Sequence, residues 1–304
     1  MSGTAALVDL YSALEETARR LDVPCSRDKV WPVLTTYEDA IPQAVIAFRV
    51  ATGARQAGEF NCHFMMLPGD VDPYALALSN DLTPKTDHPI GTLLAEIDER
   101  CPIDSHGIDF GIVGGFKKAW SIFPADDLQR LSTFAGLPSM PRSLAEHAEF
   151  FARYDLADRA SLIGFDYGHK TVNVYFGTPS AEFLEPKNIL SMIRELELPE
   201  PSEQMLRLGQ EAFGVYVTLS WDSSKIERFC FSIMTPDPMA LPARLDPKIE
   251  QFARIVPYNA AGSKLFYAAI SATEGEFYKI QSYYQWQSRT LDLMRLSDSA
   301  EDRV

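Results

Sequence analysis

The feature that most limits the fold is a two-residue alternation of side chains, confined to short segments that come in pairs. Five places read as strand, turn, strand: 44–52 with 58–67, 106–113 with 115–123, 160–167 with 170–177, 213–221 with 226–235, and 264–273 with 276–286. Turn-forming stretches such as "TGARQAG", "VGG", "YGH", "DSS" and "TEG" separate the members. Segments of helical period fill the gaps. Residues 5–21 put Leu7, Leu10, Tyr11, Leu14, Ala18 and Leu21 on one face, and 89–100, 142–156, 180–197 and 246–256 behave alike. The hairpins recur at intervals of roughly 50 to 60 residues, as a repeated helix–hairpin unit would. Five units give ten antiparallel strands under an outer layer of helices, an α+β arrangement. No linker or composition break divides the chain, so residues 1–304 are expected to form one domain.

The strand faces are more specific. Side chains alternate across a strand. One face of "TVNVYF" is Val172, Val174 and Phe176, and the other is Thr171, Asn173 and Tyr175. Phe229, Phe231 and Ile233 oppose Arg228, Cys230 and Ser232, while Ile46, Phe48 and Val50 oppose Ala47, Arg49 and Ala51. Lys279, Gln281, Tyr283 and Gln285 share a face, as do Phe116, Lys118, Trp120 and Ile122. Each purely apolar face suits the amphipathic helices. The other faces mix aromatic, small and cationic groups, with acids nearly absent. Ten strands can close into a barrel whose interior is wider than side chains alone would fill. A lumen lined by aromatics and cations is therefore expected, with Lys117 on the outer side or at the hairpin end. Solvated edge lysines are the ordinary alternative, but Arg49, Arg228 and Lys279 falling on mixed faces as well speaks against it.

Cations buried without acidic partners are costly, so an anion must visit them. Arg49, Lys118, Arg228 and Lys279, with Asn, Thr and Tyr groups beside them, suit a multiply charged phosphate or a diphosphate. The flanking Trp and Tyr rings suit a flat ligand or a carbocation. Neither G-x-x-x-x-G-K-S/T nor G-x-G-x-x-G occurs, and no aspartate-rich magnesium cluster is present. The net charge of −14 disfavours nucleic acid. No apolar run reaches transmembrane length, and acids interrupt the N-terminal segment, which points to the cytoplasm and away from membranes. Cys25, Cys62, Cys101 and Cys230 are scattered and read as reduced structural residues.

The stretches "CSRDKVWPVL" (25–34), "GGFKK" (114–118), "FFARYDL" (150–156), "VNVYF" (172–176) and "FGVYVTLSW" (213–221), in this order, resemble the soluble ABBA-fold aromatic prenyltransferases. The likeness is to the bacterial branch acting on dihydroxynaphthalenes, flaviolin and phenazines, and it spans about residues 6 to 297. It implies a ten-stranded barrel of five ααββ units. It also implies Friedel–Crafts-like transfer of a dimethylallyl or geranyl group from an allylic diphosphate to an electron-rich aromatic acceptor. By resemblance, Lys118, Asn173, Tyr216, Arg228 and Lys279 match the diphosphate set, with Thr171 in the same patch. Lys118, Arg228, Lys279 and Tyr216 would carry the ionisation. Tyr175, Phe213 and Tyr283 match residues lining the prenyl chain and acceptor, and Ser161, Gly214, Thr290 and Leu293 match acceptor positions. Ala47 and Gln281 complete the expected pocket.

Four departures from the family pattern matter. Trp120 stands where tyrosine is usual, which should shorten the prenyl channel and favour a five-carbon donor. Asn61 stands where magnesium-using members carry an aspartate, and Arg49 replaces a small polar residue. A guanidinium is thus expected in place of the metal, with no cofactor needed. His169 replaces a lysine of the diphosphate patch. Gln281 cannot act as a base, and no general base is named. The partners expected are an allylic diphosphate and a small aromatic acceptor, bound by a monomer. The competing reading is a non-catalytic carrier of a hydrophobic phosphate or aromatic ligand.

Overall fold

The computed structural model describes residues 3–54, 58–177 and 179–288. Its centre is a closed barrel in which every strand pairs antiparallel with its sequence neighbours and the first strand pairs with the last. The strands are β1 (Val45–Ala51), β2 (Phe60–Pro68), β3 (Ser105–Gly111), β4 (Gly115–Ile122), β5 (Ala160–Asp166), β6 (Thr171–Phe176), β7 (Gly214–Ser220), β8 (Arg228–Thr235), β9 (Lys264–Ser271) and β10 (Gly275–Gln285). All five predicted hairpins are present, displaced by a residue or two at their ends. Turns of the kind that hairpins need appear where glycine tolerates a positive φ, as at Gly115 and Gly275.

The helices are α1 (Gly3–Arg20), α2 (Arg27–Thr36), α3 (Pro73–Ser79), α4 (Ile90–Arg100), α5 (Leu131–Ala135), α6 (Ser143–Glu146), α7 (Ala148–Arg153), α8 (Pro186–Glu195), α9 (Glu203–Gln210) and α10 (Pro247–Ile255). The first, second and fourth hairpins are each preceded by two helices. The third follows three short ones and the fifth follows one, so the ααββ repeat holds strictly in three of five units among the described residues. Periodicity finds α1, α4, α8 and α10 but misses α2, α3, α5 and α9. These are short, and α2 carries Pro32 inside it. Two of them are marked locally instead: Asp72 accepts from the Tyr74 and Ala75 amides at the start of α3, and Ser202 accepts from the Met205 amide at the start of α9. The predicted helix 142–156 breaks at His147 into α6 and α7.

The two faces of the wall divide as alternation requires. Phe48, Phe64, Val174, Val217, Phe229 and Phe266 point outward and are fully buried under the helices, in one continuous core that includes the predicted stripe of α1. Among the described residues no helix is long and apolar enough to cross a membrane.

One predicted face is corrected. Phe116 does not share the lumen with Lys118. A register shift in the β3–β4 ladder pairs Asp109 with Lys118 but Phe110 with Phe116, so the alternation skips a residue there. Phe116 lies in the outer core against Tyr167. Lys117 is at the hairpin end, as expected, with its Nζ 2.5 Å from Glu59.

Candidate active site

The lumen holds a cavity of about 240 Å³. Arg49, Lys118, Asn173, Tyr216 and Lys279 line its polar part, and Trp120, Tyr175, Tyr267 and Tyr283 line its aromatic part. Phe123, Ala125, Leu128 and Gly177, which follow β4 and β6, carry it to the end of the barrel where helices connect the hairpins. The cations lie toward the opposite end, where the hairpin turns are. Arg49 is two residues from the end of β1, Arg228 and Thr171 begin β8 and β6, and Ala51 pairs with Lys279. The cavity therefore has a polar floor and an apolar upper half.

Acids are present on this face, contrary to the expectation that they would be nearly absent. Asp109 Oδ2 lies 2.5 Å from the Arg49 guanidinium, and Asp166 Oδ2 lies 2.6 Å from Lys118 Nζ. Burial opposes ionisation of both acids. Arg49 together with its neighbours His63, Lys118 and Lys117 outweighs it at Asp109, and Lys118 with His169 outweighs it at Asp166, so both carboxyls are held below their usual range. These two cations are thus held in place before any ligand arrives. Lys279 differs. Its Nζ donates to the Tyr216 hydroxyl at 2.8 Å and lies 5.5 Å from the rings of Tyr216 and Phe277. Burial first, and the Arg228 guanidinium second, push the Lys279 pKa well below the ordinary value.

The predicted positions are brought together unevenly. The Thr218 hydroxyl donates to Asn173 Oδ1 at 2.7 Å, which fixes the amide and leaves its nitrogen as a donor. Arg228 is on the lumen face of β8, and its guanidinium sits 5.0 Å over the Phe277 ring, but it lines a second recess beside Ser271 and Thr273. Thr171 is buried at the same end, paired in register with Asp166 and Ser220. Phe213, Gly214, Ser161, Gln281 and Tyr283 line the main cavity; the Ser161 hydroxyl turns to the Tyr175 carbonyl at 3.3 Å. Ala47 packs behind Tyr283 and Leu265, outside the lining. Asn61 is paired in register with Arg49 and is buried; its Oδ1, Arg49 Nε, Arg228 Nε and the Tyr283 hydroxyl make no hydrogen bond within the described protein. His169 is paired with Asp166 at 3.1 Å and is partly exposed. Thr290 and Leu293 lie outside the described residues.

The residue that sequence reasoning passes over is His63. Asn61, His63 and Met65 alternate on the lumen face of β2, so the same face rule would have found it. His63 lines the cavity, is 3% exposed, and sits 5.4 Å from the Trp120 ring. Its Nε2 makes no hydrogen bond within the described protein. Burial, reinforced by Arg49, lowers its pKa to about 3, although Asp109 pulls the other way. It is therefore neutral in the folded chain at physiological pH. The unfolded chain takes up this proton near pH 6.5 and the folded chain only near 3, so stability falls on acidification between those limits. Moving from pH 7 to pH 5 should lower the unfolding free energy by about 2 kcal/mol through this group. Urea unfolding at the two pH values should show the loss in the natural chain and much less of it in His63→Gln; equal slopes in both would remove His63 as the cause.

Comparison with known proteins gives a consistent result. Residues 6–292 match the family described as aromatic prenyltransferase Orf2. The chain is 55% identical to the 5,10-dihydrophenazine-1-carboxylate 9-dimethylallyltransferase of Streptomyces anulatus, over 95% of this chain and 97% of that one. It is 54% identical to the flaviolin linalyltransferase of Streptomyces virginiae, over 95% of each. The solved structure of the prenyltransferase PriB, in a ternary complex with L-tryptophan and dimethylallyl thiolodiphosphate, shares the fold, with a TM-score of 0.52 at 11% identity over 90% of this chain and 96% of that one.

Proposed function

The chain belongs to the Orf2 family of aromatic prenyltransferases, and from that premise we propose that it moves a dimethylallyl group from its diphosphate to a carbon of an electron-rich fused aromatic acceptor of the dihydroxynaphthalene, flaviolin or dihydrophenazine carboxylate type. The observation that carries this reading is the convergence of Arg49, Lys118, Lys279, the Tyr216 hydroxyl and Asn173 on the floor of an aromatic-walled cavity. A simple carrier of hydrophobic phosphates would not need ring faces aligned above the charge.

In the reaction, the allylic carbon–oxygen bond breaks and its electron pair leaves with the diphosphate oxygen. Arg49 and Lys118, already fixed by their acids, meet that charge without reorganising, as preorganised electrostatic stabilisation requires. Tyr216 and Asn173 add donors, and Arg228 adds charge from the side of Phe277. The faces of Trp120, Tyr175, Tyr216 and Tyr283 stabilise the allyl cation and keep water from it. The acceptor's ring carbon forms the new carbon–carbon bond, and the resulting arenium ion loses its proton to water or to the released diphosphate.

The reaction as proposed needs no divalent metal. Magnesium is anchored by carboxylates; Asn61 is a neutral amide, and Asp109, opposite His63 and two residues along the ladder, is occupied by Arg49. The proposal takes the enzyme to be a single-domain monomer of the cytoplasm; closure of one barrel by the first and last strands supports the single domain. Dimethylallyl is favoured because the indole at 120, although seated along the wall, still bounds the volume above the proposed diphosphate site. The test is prenyl transfer with dimethylallyl and geranyl diphosphates against naphthalene, phenazine and hydroxybenzoate acceptors, in excess EDTA. The expected result is acceptor-dependent turnover with the five-carbon donor, at least roughly tenfold more specific than with geranyl, as a pocket too short for the extra carbons gives. Comparable specificity constants would overturn the donor assignment, and diphosphate binding without transfer would favour the carrier.

A further inference from the structure

Three residues stand level across adjacent strands: Gly107 on β3 pairs with Trp120 on β4, and Trp120 pairs with Gly164 on β5. Gly164 in turn pairs with Asn173 of the polar floor. The Trp120 indole leans sideways over Gly164. A Cβ built at 164 would lie 2.5 Å from Trp120 Nε1 and 2.7 Å from its Cδ1, closer than side-chain carbons approach in folded proteins. The indole reaches on toward β6, where its N–H meets the Tyr175 hydroxyl at 3.4 Å, and His63 covers it from β2. Trp120 is 4% exposed. The largest side chain of the cavity therefore lies along the wall, in space left by a missing methyl group, instead of across the lumen. Met65 makes the same arrangement with Gly107, where a Cβ would lie 2.5 Å from its sulfur.

We propose that Gly164 is a positioning residue for donor length: by seating Trp120 against the wall, it sets how much prenyl chain the lumen accepts above the diphosphate site. This rests on the prenyl-transfer reading. A methyl group at 164 cannot be relieved by a small rotation, because Tyr175 lies beyond the indole and His63 beside it. The indole must swing inward, into the volume that the distal carbons of a long chain would fill. A short chain, ending nearer the cations, loses less.

The experiment measures Gly164→Ala, Trp120→Ala and the double variant with dimethylallyl and geranyl diphosphates. Geranyl diphosphate is followed both by turnover and as a competitor against the five-carbon donor, so the result does not depend on its being a good substrate. Gly164→Ala should lower the geranyl-to-dimethylallyl ratio of specificity constants, or of affinities, by roughly tenfold or more, the scale of a pocket that loses one or two carbon-sized spaces. In the Trp120→Ala background the same glycine change should alter the ratio by less than about twofold, because the clash has been removed. A folded Gly164→Ala with an unchanged ratio, or an equal effect in both backgrounds, overturns the proposal. If Gly164→Ala does not fold, the double variant must fold and Trp120→Ala alone must raise the ratio; failure of either also overturns it. A natural enzyme that transfers neither donor to any acceptor would defeat the prenyl-transfer reading instead, which is a different outcome.

Discussion

Arg49→Ala should lower the free energy of unfolding by about 3–5 kcal/mol, the cost of leaving a buried carboxylate without its partner. Asp109 is fully buried and Arg49 is 8% exposed, so water can do little to replace the lost guanidinium. Removing both partners should be much milder, since no unpaired charge then remains. Urea titrations of Arg49→Ala, Asp109→Ala and the double variant measure this directly. A single variant as stable as the natural chain would mean that Asp109 is not held as an anion by this pair. The same residue tests the metal. Arg49→Ser combined with Asn61→Asp removes the cation and installs a carboxylate where the family's magnesium users have one. Its prenyl transfer should become dependent on added magnesium and sensitive to EDTA, whereas the natural chain should be indifferent to both. If chelation abolishes the natural activity and magnesium restores it, the exchange of metal for guanidinium is wrong.

Arg228→Ala should cost about 2–4 kcal/mol of transition-state stabilisation, on the scale of losing one preorganised donor to a developing oxyanion. That is a fall of roughly 30- to 1,000-fold in kcat/KM. The position of Arg228 behind Phe277 makes the result informative: near-normal turnover would leave it to the recess at the turn end and out of the reaction. The pH dependence separates the cations. Among the described residues no carboxylate is hydrogen-bonded to Lys279, and its pKa is depressed by burial and by Arg228, so it surrenders its proton at lower pH than an exposed lysine. Donor binding should weaken as pH rises through that value. Lys279→Arg, which cannot be deprotonated, should lose this alkaline limb while retaining activity at neutral pH. The sign for stability is opposite: between the folded and unfolded pKa the unfolded chain holds the extra proton, so stability rises with pH there.

Much of this was readable from alternation alone. A strand with one apolar face and one mixed face has only one way to sit between helices and a lumen, which is why Arg49, Lys118 and Lys279 could be placed inside without coordinates. The likeness to known prenyltransferases then supplied roles for Tyr216 and Asn173. Where the reading failed, the cause was local. The bulge at Phe116 inserts one residue into β4, and no residue type marks it. Neither aspartate could be given its cation: Asp109 has only glycines two residues away on its face of β3, and Asp166 ends β5 beside turn residues. The pairing of their charges with cations on β1 and β4 is a property of neighbouring strands, invisible within either segment. His63 escaped for a different reason: a single histidine carries no signal until it is set beside Asn61 and Met65 on the lumen face of β2.

Closure of the barrel has a consequence for how the enzyme comes into being. Every ladder but one joins strands adjacent in the sequence, so the wall can grow in chain order as the polypeptide is made. The exception is the seam, where Arg49 on the first strand pairs with Gln281 on the last. Contacts so distant in sequence form late and slowly. The floor of the cavity straddles that seam, with Arg49 on one side and Lys279 on the other. A nascent chain can therefore display nine strands and still lack Lys279 beside Arg49; the proposed diphosphate site is complete only when the tenth strand docks.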